Sequence, residues 1–123
     1  MMFPTITVKA MNVELNKERN DLITRRLAPI ARLLPESNDV HFDVVIRKVD
    51  TSWMGERYCV SVRLKAASET YYAISNETYF ERCFARVRDE LRRSISKSYK
   101  TKEQSMKRMR RFIKERQYLE LFA

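Results

Sequence analysis

Glycine occurs once in these 123 residues and proline three times. So little turn chemistry argues against many tight hairpins and for long regular elements joined by few loops. No stretch approaches the ~18 apolar residues that would span a bilayer. The opening residues, "MMFPTITVKA", lack both the charged start and the long apolar run of a secretory signal, so a cytoplasmic address is expected. Two cysteines, Cys59 and Cys83, are too few for a disulfide framework and have no CxxC spacing; they are expected to be small buried hydrophobes. The single histidine, His41, has no second histidine with which to share a metal and is expected to be a partly exposed sheet residue.

The same scarcities exclude most catalysis. There is no glycine-rich loop to cradle a phosphate, no metal-ligand cluster and no Ser/His/Asp arrangement. Asp39, Asp43 and Asp50 fall in strands and loops without a convincing catalytic partner. A binding protein is expected, with no catalytic residue, no metal and no cofactor.

Positive charge, in contrast, is abundant and unevenly placed. The net charge is +9. Residues 1–77 hold 11 Lys/Arg against 10 Asp/Glu, whereas residues 78–116 hold 14 against 5. A nearly neutral body with a basic C-terminal third points to nucleic acid or an anionic surface as partner.

Hydrophobic periodicity orders the chain. "TITVKAM" alternates Ile6, Val8 and Ala10 against Thr5, Thr7 and Lys9, which predicts a half-buried strand. Asn16 is a plausible N-cap for a helix whose buried stripe is Ile23, Leu27, Ile30 and Leu34, and Pro29 predicts a kink or break near Ala28. "VHFDVVIRKV" and "RYCVSVRLK" alternate as two further strands. The loop "DTSWMGE" joins them, with Trp53 at its tip, expected to pack back on the sheet or else to serve as an exposed stacking surface. "AASE" turns into a fourth strand, "TYYAIS". From about Asn76 the spacing turns helical, with Phe84, Val87, Leu91 and Ile95 as its buried stripe. Met106, Met109 and Ile113 recur at helical spacing in the last segment. The order β-α-β-β-β-α predicts an α+β domain: a four-stranded sheet with two helices on one face and a basic C-terminal extension. The expected division is a domain over residues 1–102 and a basic tail over 103–123, helical or mobile.

The stretch "DELRRSISKSYKTK" carries five basic side chains. At 100° per residue, Arg82, Arg86, Arg93, Lys97 and Lys100 fall in a sector roughly 60° wide, opposite the apolar stripe. Arg88 and Arg92 flank that stripe, and Asp89 stands one turn from both Arg86 and Arg93, where it can pair with either. Arg25 and Arg32 lie away from the apolar stripe of the first helix. Such a row is either a solvated face or a grip on phosphates. Uncompensated like charges that continue through Lys107, Arg108, Arg110, Arg111 and Lys114 favour the grip. Arginine suits bidentate phosphate contact and stacking on bases. Spacing alone does not separate RNA from DNA.

The residues also carry a resemblance. "ITVKAMNVELNKERNDLITRRL" resembles the opening of the bacterial ribosome hibernation-promoting factors, also known as ribosome-associated inhibitor or sigma-54 modulation proteins. There a strand leads into an N-[IV]-x-[VL] turn, matched by Asn12, Val13, Glu14 and Leu15, and a helix ends in paired basic residues and Leu, matched by Arg25, Arg26 and Leu27. "DELRRSISKSYK" resembles the end of the family's second helix, whereas of its Tyr-and-Asp segment at the start of that helix Tyr79 remains. The resemblance covers residues 5–102. It implies a non-enzymatic protein that binds the small ribosomal subunit through ribosomal RNA of the decoding region and blocks messenger and transfer RNA under stress. It implies contacts by Arg25, Arg26, Arg92, Arg93, Lys97, Lys100 and Lys102, to which the helix geometry above adds Arg32, Arg82 and Arg86. No DNA specificity and no membrane partner are expected. The family's long forms pair ribosomes through an additional domain that this sequence does not show, so a monomer is expected. Two alternatives remain open: a general binder of structured or double-stranded RNA, and a membrane-surface or protein-interaction module using the basic amphipathic tail.

Overall fold

Strict alternation makes a strand with one oily face, and four such strands here place those faces in common register. The computed structural model describes residues 4–34, 39–66 and 69–121; the side chains of Lys102, Glu103, Ser105 and residues 112–121 lie outside that description. The elements are β1 (Thr5–Met11), α1 (Lys17–Leu27), a 3-10 turn (Ala28–Leu33), β2 (Val40–Thr51), β3 (Gly55–Ala66), β4 (Glu69–Glu77) and α2 (Phe80–Leu121). The sheet order is β1-β2-β3-β4, with β1 parallel to β2 and the other pairs antiparallel. The chain divides into two compact units, Met1–Arg93 and Ser94–Ala123, so the Phe80–Arg93 part of α2 belongs to the first.

Register aligns three apolar rows across the sheet: Ile6–Phe42–Leu64–Tyr71, Val8–Val44–Val62–Ala73 and Ala10–Ile46–Val60–Ser75. Against this face lie Ile23, Leu27 and Ile30 from the first helical segment and Cys83, Phe84, Val87 and Leu91 from α2, each at most 1% exposed. Ile95, the last residue of the expected stripe, is also buried. Deep burial of each such side chain contributes about 1.5–3 kcal/mol, which the sheet or an 11-residue helix could not recover alone. The expected α+β architecture, in the order β-α-β-β-β-α, is the one observed.

Local chemistry sets the boundaries. Asn12 adopts φ 59°, a left-handed turn that Asn tolerates, and ends β1. The Asn16 side chain accepts a hydrogen bond from the Arg19 backbone N–H at 2.9 Å and caps α1. Pro29 ends the α-helix: α1 stops at Leu27 and the chain tightens into the 3-10 turn. The second helix starts at Phe80 rather than near Asn76, because Asn76 and Glu77 are still paired with Cys59 and Tyr58 in the sheet.

The other sheet face is open. Thr7, Asp43, Arg63 and Tyr72 form one row across it. Arg63 donates to Asp43 Oδ2 at 2.7 Å, while His41 Nε2 lies 2.7 Å from Asp43 Oδ1. His41 is thus the partly exposed sheet residue expected of it. Cys83 is buried, and burial pushes its thiol pKa up. Cys59 departs from expectation: it belongs to the open-face row Met11–Arg47–Cys59–Asn76 and is only half-buried.

The hydrogen bonds from Arg63 first, and His41 second, hold the Asp43 carboxyl below its ordinary pKa. Its contribution to stability is therefore present above the carboxyl's unfolded pKa and is lost as pH falls through the lower folded value. Removing Arg63 (Arg63→Ala) is expected to move the Asp43 titration upward, toward the ordinary carboxyl value, as followed by carboxyl NMR.

Candidate nucleic-acid interface

The direction of the strands decides where the helices deliver their charge. β1 ends beside Arg47, so α1 begins at that end of the sheet and runs back toward the end where β2 starts. β4 ends beside Tyr58, at the same end as the close of β1, and α2 starts there with Phe80 edge-on to Tyr58 at 5.7 Å. Both helices therefore start together and carry their later turns across the sheet. Arg25, Arg26 and Arg32 finish the first helical segment, and Arg92 and Arg93 lie about 18–20 Å along α2 from Phe80. All five gather toward one end of the first unit.

These side chains are available to an anion. Arg25, Arg32, Arg92 and Arg93 are exposed and Arg26 is half-buried, and none makes an ion pair with any described residue. Arg25 and Arg26 also occupy the last turn of α1, where positive charge meets the negative end of the helix dipole. Guanidinium groups fixed on helices present planar donors that match phosphate oxygens.

The opposite end is different. Arg82 lies in the first turns of α2 with its guanidinium 5.9 Å from the Tyr79 ring centroid. Arg86 is drawn back by Glu77, its Nε 2.6 Å from Oε1. Asp89 does not pair with Arg86 or Arg93 through its carboxylate; its Oδ1 lies 3.3 Å from Arg88, and Arg93 reaches only its backbone carbonyl at 3.5 Å. Beside the first turns of the helices is a cleft of about 780 Å³, with Glu18, Asp21 and Glu81 on its walls together with Arg19 and Arg25. Three carboxylates against two guanidinium groups make it a poor phosphate site. The row expected along α2 is thus interrupted by acids at its start and, among the described residues, clear of carboxylate partners at Arg92 and Arg93.

Arg19 was not singled out by periodicity. It donates to the Glu14 carbonyl at 2.7 Å and to the Tyr58 hydroxyl at 3.3 Å, and its guanidinium lies 5.0 Å from the Phe80 ring centroid. It joins α1, β3 and α2 and so sets the relative position of the basic segments. Its signal was spatial, since its partners lie far away in sequence. Among the described residues no three His, Cys, Asp or Glu side chains gather to hold a metal ion, and no helix is long and apolar enough to cross a membrane.

The second unit, described by itself, is helical through Leu121. Lys97, Lys100, Lys107, Arg108, Arg110 and Arg111 are exposed on it, as are Met106 and Met109. The side chains of Lys102, Phe112, Ile113 and Lys114 lie outside the described residues.

No family model matches the sequence, and no curated protein matches it. Solved structures do. The N-terminal domain of Protein Y from Thermus thermophilus matches with TM-score 0.58 and 14% identity, over 76% of this chain and 93% of that one. A ribosomal subunit interface protein from Coxiella burnetii matches with TM-score 0.59 and 15% identity, over 79% of this chain and 98% of that one. This chain shares their fold. Both are members of the hibernation-promoting factor family that the sequence resembles.

The Glu77–Arg86 pair separates architecture from ligand grip. Glu77 is mostly buried while Arg86 is largely exposed, so their coupling is expected to be about 0.5–1 kcal/mol in a double-mutant cycle of Glu77→Gln and Arg86→Ala read by chemical denaturation.

Proposed function

We propose that this protein is a ribosome hibernation factor. It binds ribosomal RNA in the decoding region of the small subunit and inhibits translation under stress by occupying messenger and transfer RNA sites. One observation carries the reading: on a fold shared with a ribosomal subunit interface protein, the free arginines of both helices gather at one end of the first unit. The mechanism is occupancy rather than chemistry. Arg25, Arg26, Arg32, Arg92 and Arg93 contact phosphates, releasing condensed counterions, and shape rather than base sequence selects the site. Lys97, Lys100 and Lys102 extend the contacts from the second unit, and Arg82 and Arg86 act as outlying contacts. The protein works in the cytoplasm as a monomer, without cofactor or metal.

In this reading residues 1–102 form the ribosome-binding domain, and residues 103–123 are a basic tail that lies in the messenger channel. The tail adds charge to a site where messenger RNA would otherwise run. Its role is separable from that of the domain.

Co-sedimentation with purified small subunits across a salt series tests the central claim. Wild-type protein is expected to bind small subunits selectively, with affinity falling steeply as salt rises. Arg92→Ala with Arg93→Ala is expected to reduce the slope of log affinity against log salt by about 1.5–2, the loss of two phosphate contacts. Equal binding to any structured RNA at the same salt would instead assign the protein to general RNA binding away from the ribosome. Deleting residues 103–123 is expected to weaken binding and to restore messenger binding to occupied subunits; unchanged affinity and continued exclusion would remove the tail from the mechanism.

A further inference from the structure

The β2–β3 hairpin outgrows its sheet. β1 pairs with β2 only as far as Arg47, and β4 pairs with β3 only from Tyr58 onward. Between these limits Val49–Thr51 and Gly55–Arg57 pair with each other alone. They make a two-stranded arm that extends past both neighbours by about 10 Å, three residues at ~3.3 Å each. At its tip Trp53 is 94% exposed and Met54 64% exposed. The expectation that this tryptophan packs back on the sheet is overturned, because no neighbouring strand reaches far enough to receive it.

The tip is nevertheless held. Thr51 Oγ1 accepts from the Met54 backbone N–H at 3.1 Å and donates to the Gly55 carbonyl at 3.3 Å. Gly55 takes φ +67°, which most side chains would resist. Arg57 donates to Asn76 Oδ1 at 2.9 Å and to its carbonyl at 3.2 Å, anchoring the arm's base to β4, and lies 3.7 Å from Met54 Sδ. An indole presented on a braced arm loses little freedom when it meets a flat partner.

The chemistry of the arm selects among partners. Lys48 and Arg57 are balanced by Asp50 and Glu56, and Lys48 is paired with Glu56 at 3.2 Å. A neutral arm is no phosphate clamp. Its distinguishing feature is an exposed ring, and at the same end of the sheet a second exposed ring, Tyr79, has the Arg82 guanidinium nearby. Exposed aromatic rings with arginine suit unpaired bases, while the free arginines of the same unit suit the phosphates of the same RNA. We propose that the β2–β3 arm stacks Trp53 on an unpaired base of structured RNA, a contact separate from the phosphate grip of the helices. The partner RNA is the one assigned under the hibernation reading, on which this inference rests.

Trp53 is the single tryptophan of the chain, so fluorescence excited selectively in the indole band, beyond tyrosine absorption, reports on it alone. The full-length protein is titrated with a short mixed-sequence single-stranded RNA, with that RNA annealed to its complement, and with heparin, which offers anionic charge without bases. Quenching by the single strand, with little from duplex or heparin at matched occupancy, is the expected result. Absence of quenching by bound single strand, or equal quenching by heparin, would overturn the proposal. Trp53→Ala is expected to weaken both single-strand and small-subunit binding about tenfold, within the range for one stacked base, with the salt slope unchanged. Trp53→Phe is expected to retain affinity within about threefold. Loss of small-subunit binding in Trp53→Ala, with no nucleic acid quenching the wild type, would place a protein surface at the arm and refute stacking. Failure of the wild type to co-sediment with small subunits refutes the hibernation reading instead, while the quenching series still decides the stack.

Discussion

The parallel pairing of β1 with β2 is the constraint from which the rest of the first unit follows. Two antiparallel strands can be joined by a tight turn, but a parallel pair needs a crossover that returns the chain to its starting end. Here α1 and the 3-10 turn make that return, Lys17 to Leu33. The β2-β3-β4 meander then brings the chain back to the end where α1 began, and α2 starts there too. Both helices consequently have the same polarity over the sheet. Basic residues placed late in each are brought together, although Arg26 and Arg92 are far apart in sequence.

That polarity also separates two kinds of chemistry. The first turns of the helices carry Glu18 and Glu81, favourable near a helix's positive end. The last turn of α1 carries Arg25 and Arg26, favourable near its negative end. Charge placement that suits each helix by itself therefore also leaves one end of the unit mixed and the other cationic. The mixed-charge cleft, which Arg25 also lines, and the exposed arginines beyond it are two consequences of one arrangement. The cationic end needs no stabilising device of its own, because Arg19, half-buried against Tyr58 and Phe80, already fixes the helices to the sheet.

How much of this the sequence disclosed depends on the range of the interaction. The buried stripes were legible because period two and period 3.6 report which face a residue occupies, and Ile23, Phe42, Val62 and Phe84 are all buried accordingly. Pro29 and Asn16 were legible because their effects are local. The partner of Arg86 was not legible because its acid, Glu77, lies in the preceding strand and not one helical turn away. Cys59 was misread because alternation puts it on the sheet's second face, which no helix covers. The basic positions were visible as a helical row, but their grouping across two helices required strand direction.

Trp53 shows the same limit from the other side. Whether a ring at a hairpin tip is covered depends on how far the flanking strands run, and a strand's end is the least legible part of it. β2 and β3 are 12 residues each, whereas β1 has 7 and β4 has 9. The difference in length produces the arm, and the arm leaves the ring in water. A lone exposed apolar residue needs no explanation in itself. This one sits on a braced, electrically balanced projection of a unit whose remaining exposed charge is arginine-rich. Under the proposed reading, a phosphate grip that reads little sequence would gain selectivity from a contact that only an unpaired base can satisfy. Duplex RNA offers phosphates to the helices and no free ring face to the arm, whereas folded RNA with splayed bases offers both.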